Sequence, residues 1–291
     1  MISIVLAILA ALSYSLSAVT VEKNLGRSNF ISAVMVITVI GNLILWPSTL
    51  LLVPLSNINL TSILFFIAAG IMAPGVTRLF YYKGMEKVGV SINASLFATY
   101  PLVGSIMAIF LLNESPTLGI WGGIVCIIVG AIFVERAANK SRVRSMRIER
   151  KSLVFPLLGT LFIASSHIIR KMGLIICNEP IMGVAVGYLA ALCFYALFLG
   201  SSSTMRISLF LNRQNLRFFW KAGVCLSVGW LLTFYALSRG DVSIVTSILQ
   251  VQPLFIVLLA HLFLKEVEVI SRGVVAGATI IIAGVALIAI F

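Results

Sequence analysis

The sequence predicts an all-α integral membrane protein with ten transmembrane helices, arranged as two inverted repeats of five helices. Three observations predict it: an apolar composition, apolar runs long enough to cross a bilayer, and an internal duplication. Hydrophobic residues make up 60% of the 291 residues and charged residues only 10%, whereas a soluble domain carries about 25% charged residues. The chain therefore has too few charged residues to cover a water-facing surface.

The duplication is visible in two segments that align without gaps. They are residues 90–114 (VSINASLFATYPLVGSIMAIFLLNE) and residues 242–266 (VSIVTSILQVQPLFIVLLAHLFLKE), identical at nine of 25 positions. Shared apolar composition explains the matched Leu and Ile residues. It does not explain Pro101 aligned with Pro253, or Glu114 aligned with Glu266. Duplicated halves in a membrane chain are typical of transporters.

Polar breaks divide the chain into ten apolar runs of the length that a helix needs to cross a bilayer, roughly 20 residues. Spans 1 to 5 are predicted at residues 2–20, 30–53, 61–82, 89–112 and 117–134. Spans 6 to 10 are predicted at residues 152–172, 179–200, 218–238, 242–264 and 272–290. The predicted organisation is a first repeat at residues 1–135, a basic linker at 136–151 and a second repeat at 152–291.

The loop charges predict that the repeats are inverted. An odd number of spans per repeat makes the second repeat enter the membrane from the opposite side, and Lys and Arg collect in short cytoplasmic loops. The loop after span 2 has no Lys or Arg, whereas its counterpart after span 7 carries Arg206, Arg213, Arg217 and Lys221. Odd-numbered loops and their span ends hold 18 of the 21 basic residues; the others are Arg170, Lys171 and Arg239. We therefore expect cytoplasmic odd loops and termini on the outer side.

Charge and cysteine placement exclude other classes of protein. A net charge of +12 can indicate nucleic-acid binding, but these basic residues lie in short loops between apolar runs, where they act as topology signals. The four cysteines lie in or beside apolar segments without CxxC pairing, so neither a metal site nor a disulfide framework is predicted. No nucleic-acid partner, metal, cofactor or catalytic residue is expected.

Several motifs recur in the same order in both halves. A Pro lies in the middle of spans 4 and 9, and an acidic residue closes each span (LLNE at 111–114, FLKE at 263–266). A Gly-rich last span follows with the spacing G-x₆-G, at Gly123, Gly130, Gly277 and Gly284. In these features the chain resembles the drug/metabolite transporter superfamily, EamA type, over nearly its whole length. It departs from that pattern in span 1, where Ser13-Tyr14-Ser15 replaces the usual Trp-Gly-Ser-like stretch.

The resemblance implies a membrane transporter of small metabolites, an exporter of amino acids or related compounds that uses alternating access around a central site between the repeats. Two alternatives stay open. One is a translocator of a lipid-linked or amphipathic substrate, and the other is an intramembrane enzyme, for which the chain offers no HExxH motif. The expected partners are a small-molecule substrate and the lipid bilayer. The expected location is the cell membrane (inner or plasma membrane), as a multi-pass monomer or homodimer.

Residues around the two mid-span prolines are candidates for a substrate pathway. Pro lacks a backbone donor and interrupts a helix, and such interruptions often form the substrate site of inverted-repeat carriers. Polar side chains in mid-membrane usually face a cavity or another helix. The alternative is a simple packing kink. The candidates of this group are Thr99, Tyr100, Pro101, Gln250, Gln252 and Pro253.

Four further pathway candidates are Asn93, His167, Trp230 and Tyr235. Asn93 precedes Tyr100 by seven residues, about two turns, so a continuous helix would place both on one face. His167 is an ionisable group within predicted span 6, and a histidine side chain ordinarily titrates near neutral pH; the alternative is a neutral His bonded across helices. Trp230 and Tyr235 can stack on a flat substrate or belong to the aromatic belt at the membrane interface.

The acidic residues bear on energy coupling. Glu114 and Glu266 stand at span ends, where an end-cap role is the stronger interpretation than proton carriage. All nine acidic residues lie at span ends or in loops. The sequence therefore predicts facilitated transport down the substrate gradient, with proton handling by His167 as the alternative.

Overall fold

The structure is a computed structural model that describes residues 1–25, 28, 30–138, 150–201, 213–264 and 272–291. Within these ranges the chain is helical and has no strand. Ten helical segments there are long and apolar enough to cross a membrane. The predicted all-α fold is confirmed. Most of the predicted basic linker, together with Arg206 and Glu266, lies outside the described residues.

Seven spans are continuous helices. They are span 1 (Ile2–Leu25), span 2 (Phe30–Leu52), span 5 (Leu118–Ala138), span 6 (Val154–Ile176), span 7 (Pro180–Ser201), span 8 (Arg213–Arg239) and span 10 (Arg272–Ile290). Short 3₁₀ helices at Leu55–Asn57 and Arg150–Leu153 precede spans 3 and 6.

Three spans are interrupted. Span 4 consists of helices Val90–Phe97 and Tyr100–Leu112, and span 9 consists of Val242–Leu249 and Gln252–Leu264. Each break lies just before the Pro that the sequence analysis marked, which is the second residue of the following helix. The Pro ring clashes with the backbone of the preceding turn, and its nitrogen has no hydrogen to donate to that turn. Span 3 consists of helices Leu60–Gly70 and Thr77–Val88, joined by a π-helical segment at Ile71–Val76. The interruption of span 3 was not predicted.

Each span packs against partners from the other repeat. Span 1 packs against span 8, and span 6 packs against span 3. Span 1 also packs against span 9, and span 6 also packs against span 4. Exchanging the repeats, so that span 1 becomes span 6, converts each of these pairs into the other. The pairs 2–7, 4–9 and 5–10 map onto themselves. A two-fold relation between the repeats produces this set of contacts.

The glycines of spans 5 and 10 show the relative direction of that pair. A Cβ added at Gly284 would lie 2.8 Å from the carbonyl oxygen of Gly123, and one added at Gly277 would lie 2.8 Å from that of Gly130. Only glycine permits this approach of two backbones. Because Gly123 faces Gly284 and Gly130 faces Gly277, the two helices run antiparallel. The arrangement agrees with the predicted inverted repeats, and these glycines serve a contact within one chain.

Candidate functional site

Three aromatic rings from three spans form a stack in the interior. Tyr100 begins the second helix of span 4, His167 lies in span 6 and Trp230 in span 8. The His167 ring is stacked 5.7 Å from the Tyr100 ring and 6.1 Å from the Trp230 ring, measured between centroids. Exposed fractions are 7% for Tyr100, 1% for His167 and 9% for Trp230. The stack therefore joins the two repeats in a place shielded from solvent.

Span 1 completes one side of the stack with Tyr14. Its ring meets the Trp230 ring edge-on at 5.5 Å, and its hydroxyl lies 2.7 Å from the Thr233 hydroxyl. The absence of a side chain at Gly229 makes room, since a Cβ there would lie 2.6 Å from the Tyr14 ring. Tyr14 thus lies in the stretch Ser13-Tyr14-Ser15, where the sequence departs from the superfamily pattern that it resembles.

Span 9 is tied to the stack through the backbone. The Tyr100 hydroxyl donates a hydrogen bond to the carbonyl oxygen of Thr246, at 3.3 Å. The Ser15 hydroxyl in span 1 donates to the carbonyl oxygen of Ala11 on its own helix at 2.7 Å. It also lies within hydrogen-bond distance, 3.1 Å, of the carbonyl oxygen of Gln252, directly after the break in span 9. The break therefore offers backbone acceptors to two side chains of the first repeat.

Arg170 lies beside the same stack. It follows His167 by three residues on one helix, so the two side chains share a face. The Arg170 guanidinium lies 4.1 Å from the centroid of the Trp230 ring and 5.6 Å from that of Phe234. Its Nη2 atom donates a hydrogen bond to the carbonyl oxygen of Ala73. The side chain is only 2% exposed.

This placement corrects the sequence analysis, which put Arg170 and Lys171 at the outer end of predicted span 6. Span 6 was predicted to end at residue 172, but the helix continues to Ile176, so both residues lie more than one turn before its end. Lys171 donates hydrogen bonds to the carbonyl oxygens of Leu237 and Gly240, at 2.7 and 3.0 Å. It satisfies carbonyls at the end of span 8, where cations are favourable.

The interruption of span 3 supplies the carbonyl that Arg170 binds. Ala73 has extended backbone angles, φ −144° and ψ 125°, within an otherwise helical span. The carbonyl oxygen of the following Pro74 accepts a hydrogen bond of 2.7 Å from the Tyr195 hydroxyl of span 7. The sequence signal was the run Ala73-Pro74-Gly75, since Pro and Gly both weaken a helix.

Arg170 and His167 each have a polar atom without a partner among the described residues. The Nη1 atom of Arg170 and the Nδ1 atom of His167 are buried and make no hydrogen bond there. Ion pairs in the described part of the chain are those of Glu86 with Lys83 and Lys87, so no carboxylate pairs with Arg170 within that part. Buried polar atoms usually have a partner, which marks this place as unusual.

Four of the remaining pathway candidates lie at the breaks in spans 4 and 9. Thr99 occupies the turn between the helices of span 4 and donates to the carbonyl oxygen of Leu96 at 2.6 Å. Pro101 and Pro253 are buried at the start of the second helices of their spans, and Gln250 is 8% exposed at the break of span 9. These residues lie at the two breaks that the Tyr100–Thr246 hydrogen bond connects.

Asn93 and Tyr235 lie apart from the stack. Asn93 is fully buried in the first helix of span 4, where its amide packs against Gly84 of span 3. The break after Phe97 separates it from Tyr100, so the seven-residue spacing does not place the two on one continuous face. Tyr235 lies near the end of span 8, with its ring 5.4 Å from the guanidinium of Arg239.

The sequence model of the EamA-like transporter family matches residues 1–136 and 151–290. The chain belongs to the EamA-like transporter family. In structure, it is similar to a protein whose crystal structure aligns over 98% of this chain and 95% of the other, with a TM-score of 0.78 and 13% identity. That identity shows likeness of fold alone. In a comparison with curated proteins, none matches.

An EamA-like transporter moves small molecules across a lipid bilayer, and the ten spans make this one a multi-pass membrane protein. The family match covers the elements that build the stack in both repeats. In this EamA-like transporter, Tyr100 comes from the first matched region, and His167, Arg170 and Trp230 come from the second. The cluster therefore lies where the two repeats meet, which is the usual position of a carrier's substrate site.

Proposed function

We propose that this EamA-like transporter exports amino acids or related small metabolites across the cell membrane by alternating access. The observation that carries the proposal is the stack of Tyr100, His167 and Trp230, which unites spans of both repeats beside three interrupted helices. Interrupted helices at a repeat interface are the usual construction of a carrier site. Aromatic faces and unpaired polar atoms then supply both apolar and polar contacts to a substrate.

The burial of the stack supports a gated mechanism. Tyr100, His167 and Trp230 are each less than one-tenth exposed, so a substrate reaches them only when spans of the two repeats separate. The Tyr100 hydroxyl bond to Thr246 and the Ser15 bond to Gln252 cross between the repeats and must rearrange in that step. Weak bonds to backbone carbonyls suit such a motion, since each contributes only about 1 kcal/mol.

The test is substrate counterflow in liposomes. Purified protein is reconstituted, loaded with unlabelled amino acids and related metabolites in turn, and scored for uptake of the labelled compound. We expect at least one of them to exchange, and Trp230→Leu to reduce the rate about tenfold, as for a lost contact of about 1.4 kcal/mol.

Trp220→Leu is the matched control, because Trp220 lies on the same helix and is 45% exposed. It should leave exchange unchanged. Exchange that is equally fast in Trp230→Leu and in Tyr100→Leu would place the substrate elsewhere. Absence of exchange for every compound in the series would remove the proposed substrate class.

A further inference from the structure

We propose that the transported substrate carries an anionic group, a carboxylate or a phosphate, and that Arg170 binds this group through its free Nη1 atom. The inference rests on the proposed function, since it names the substrate class of the same site. Arg170 is the cation beside the aromatic stack, and a planar guanidinium is well suited to binding carboxylates and phosphates.

The first argument is the cost of burying a charge. Arg170 is 2% exposed, and a buried charge is strongly unfavourable unless it is paired. The described residues provide one backbone carbonyl, that of Ala73, and the ring faces of Trp230 and Phe234. These contacts compensate the charge in part, but none of them carries a negative charge. An anionic group of the substrate would supply the missing negative charge.

The second argument is the geometry of the unused donors. Nη2 of Arg170 is held by Ala73, whereas Nη1 is buried without a hydrogen-bond partner in the described part of the chain. Nδ1 of His167, one turn earlier on the same face, is likewise without a partner there. Two unpartnered nitrogens on one helix face can both donate to the oxygens of one anion, when His167 carries its proton on Nδ1. The fixed Nη2 bond orients Nη1 in advance.

The third argument is the setting of these donors. The Tyr14 hydroxyl is engaged by Thr233 and the Tyr100 hydroxyl by the Thr246 carbonyl, so the two phenols are not the free polar groups of the cluster. Rings surround the guanidinium and exclude water, which strengthens an ion pair formed there. The site therefore favours one charged group of the substrate with an apolar or aromatic remainder.

A structural role for Arg170 is the rival explanation. In that case Arg170 only holds the interrupted segment of span 3 in place through its hydrogen bond to Ala73, and its charge binds no substrate. The two explanations differ in one respect. A structural role predicts no dependence on the charge of any ligand, whereas an anion site predicts selection by charge.

The experiment reads binding through Trp230, whose ring lies 4.1 Å from the guanidinium. Trp46, Trp121 and Trp220 are replaced by Phe, so that Trp230 reports alone. The purified protein is titrated in detergent with succinate, succinamide and putrescine, which share a four-carbon skeleton and differ in charge. Inorganic phosphate and a short-chain phosphatidic acid form two further arms.

We expect saturable changes in Trp230 emission with an anionic probe and none with succinamide or putrescine. A response to succinate assigns carboxylates. A response to free phosphate assigns soluble phosphorylated compounds, and a response to phosphatidic acid alone assigns a lipid-linked phosphate. A series in which no anion gives a response, or in which the neutral and cationic probes respond equally, overturns the proposal.

The variants are Arg170→Gln, Arg170→Lys and the matched control Arg239→Gln. Arg239 is exposed and also lies near an aromatic ring, that of Tyr235. Arg170→Gln should weaken anion binding about 10- to 100-fold, the factor for one charge-assisted hydrogen bond. Arg170→Lys should restore part of the affinity, and Arg239→Gln should bind as the parent protein does. Equal affinity in Arg170→Gln and the parent would show that Arg170 has only the structural role.

The design separates this inference from the proposed function. The titrations with anionic, neutral and cationic probes use protein that retains Arg170. They therefore test for an anion site even if Arg170→Gln does not fold. Anion-selective binding without liposome exchange would leave the anion site in place and remove the transport proposal for amino acids. Exchange of a substrate without an acidic group, at a rate that Arg170→Gln does not alter, would keep the transporter and overturn the anion site.

Discussion

The carboxylate of Glu114 binds Ser243 twice, accepting hydrogen bonds from its backbone N–H at 3.0 Å and its hydroxyl at 2.6 Å. It also accepts one from the N–H of Val242 at 2.6 Å. Glu114 follows the end of span 4, and the two partners open span 9. Free N–H groups and the helix dipole make a helix start favourable for a carboxylate. This geometry supports the end-cap interpretation of Glu114 over proton carriage.

Glu114→Ala should lower the free energy of unfolding by about 1–2 kcal/mol, as expected for the loss of a helix cap. The same bonds join the first repeat to the second, so their loss should also loosen the contact between spans 4 and 9. Thermal unfolding of purified protein in detergent measures the effect. Glu86→Ala is the control, since Glu86 is exposed and pairs only with Lys83 and Lys87 on the surface, where ion pairs contribute little. Equal melting temperatures for the two variants would contradict the capping role.

Gly284→Ala should disturb the contact between spans 5 and 10. The new methyl group would lie 2.8 Å from the carbonyl oxygen of Gly123, so the helices must move apart, at a cost of about 1–3 kcal/mol. Gly122→Ala is the matched control, because the nearest atom to its Cβ is 4.0 Å away, on Leu287. Ala favours a helix more than Gly does, so the control should melt at the same temperature or higher. A stable Gly284→Ala protein would show that the close approach is dispensable.

The ten-helix fold followed from the sequence because the bilayer restricts the choices. A span needs about 20 apolar residues, and its backbone groups must be satisfied internally. The breaks in spans 4 and 9 followed from Pro101 and Pro253, whose effect on a helix is local. Inversion followed from loop charge, which is also a local property of the chain. All three features can be read without knowing which helices touch.

The aromatic cluster was predictable only in part, because its contacts are non-local. Tyr100, His167 and Trp230 were each candidates, but nothing in their spacing shows that the three rings stack. Arg170 was counted only as a basic residue at the outer end of predicted span 6, because a polar pair near the end of an apolar run usually marks a span end. The helix continues to Ile176, and the unpredicted break at Ala73 gives Arg170 a backbone acceptor. That acceptor is a tertiary contact, which the spacing of residues along the chain does not reveal.

The orientation in the membrane is predicted from the loop charges and is open to direct test. In a protein whose four cysteines are replaced by serine, Asn57→Cys should react with membrane-impermeant thiol reagents in intact cells, and Ser141→Cys should not. Asn57 is exposed in the structure, whereas Ser141 lies outside the described residues. Permeabilised cells provide the control, since both sites should then react. Labelling of Ser141→Cys alone in intact cells would reverse the orientation.

The last prediction concerns energy coupling. The described acidic residues lie at span ends or in loops, as the sequence analysis expected, and His167 is stacked between Tyr100 and Trp230. We therefore expect substrate flux in liposomes to follow the substrate gradient and to persist when an ionophore collapses the proton gradient. His167→Ala should raise KM about fivefold, as for a lost contact of about 1 kcal/mol, with the pH profile of kcat unchanged.

Ser238→Ala, near the end of span 8, serves as a control outside the stack. Accumulation against a gradient that requires an imposed pH difference and disappears in His167→Ala would make the protein a proton-coupled antiporter, with the imidazole as its proton carrier.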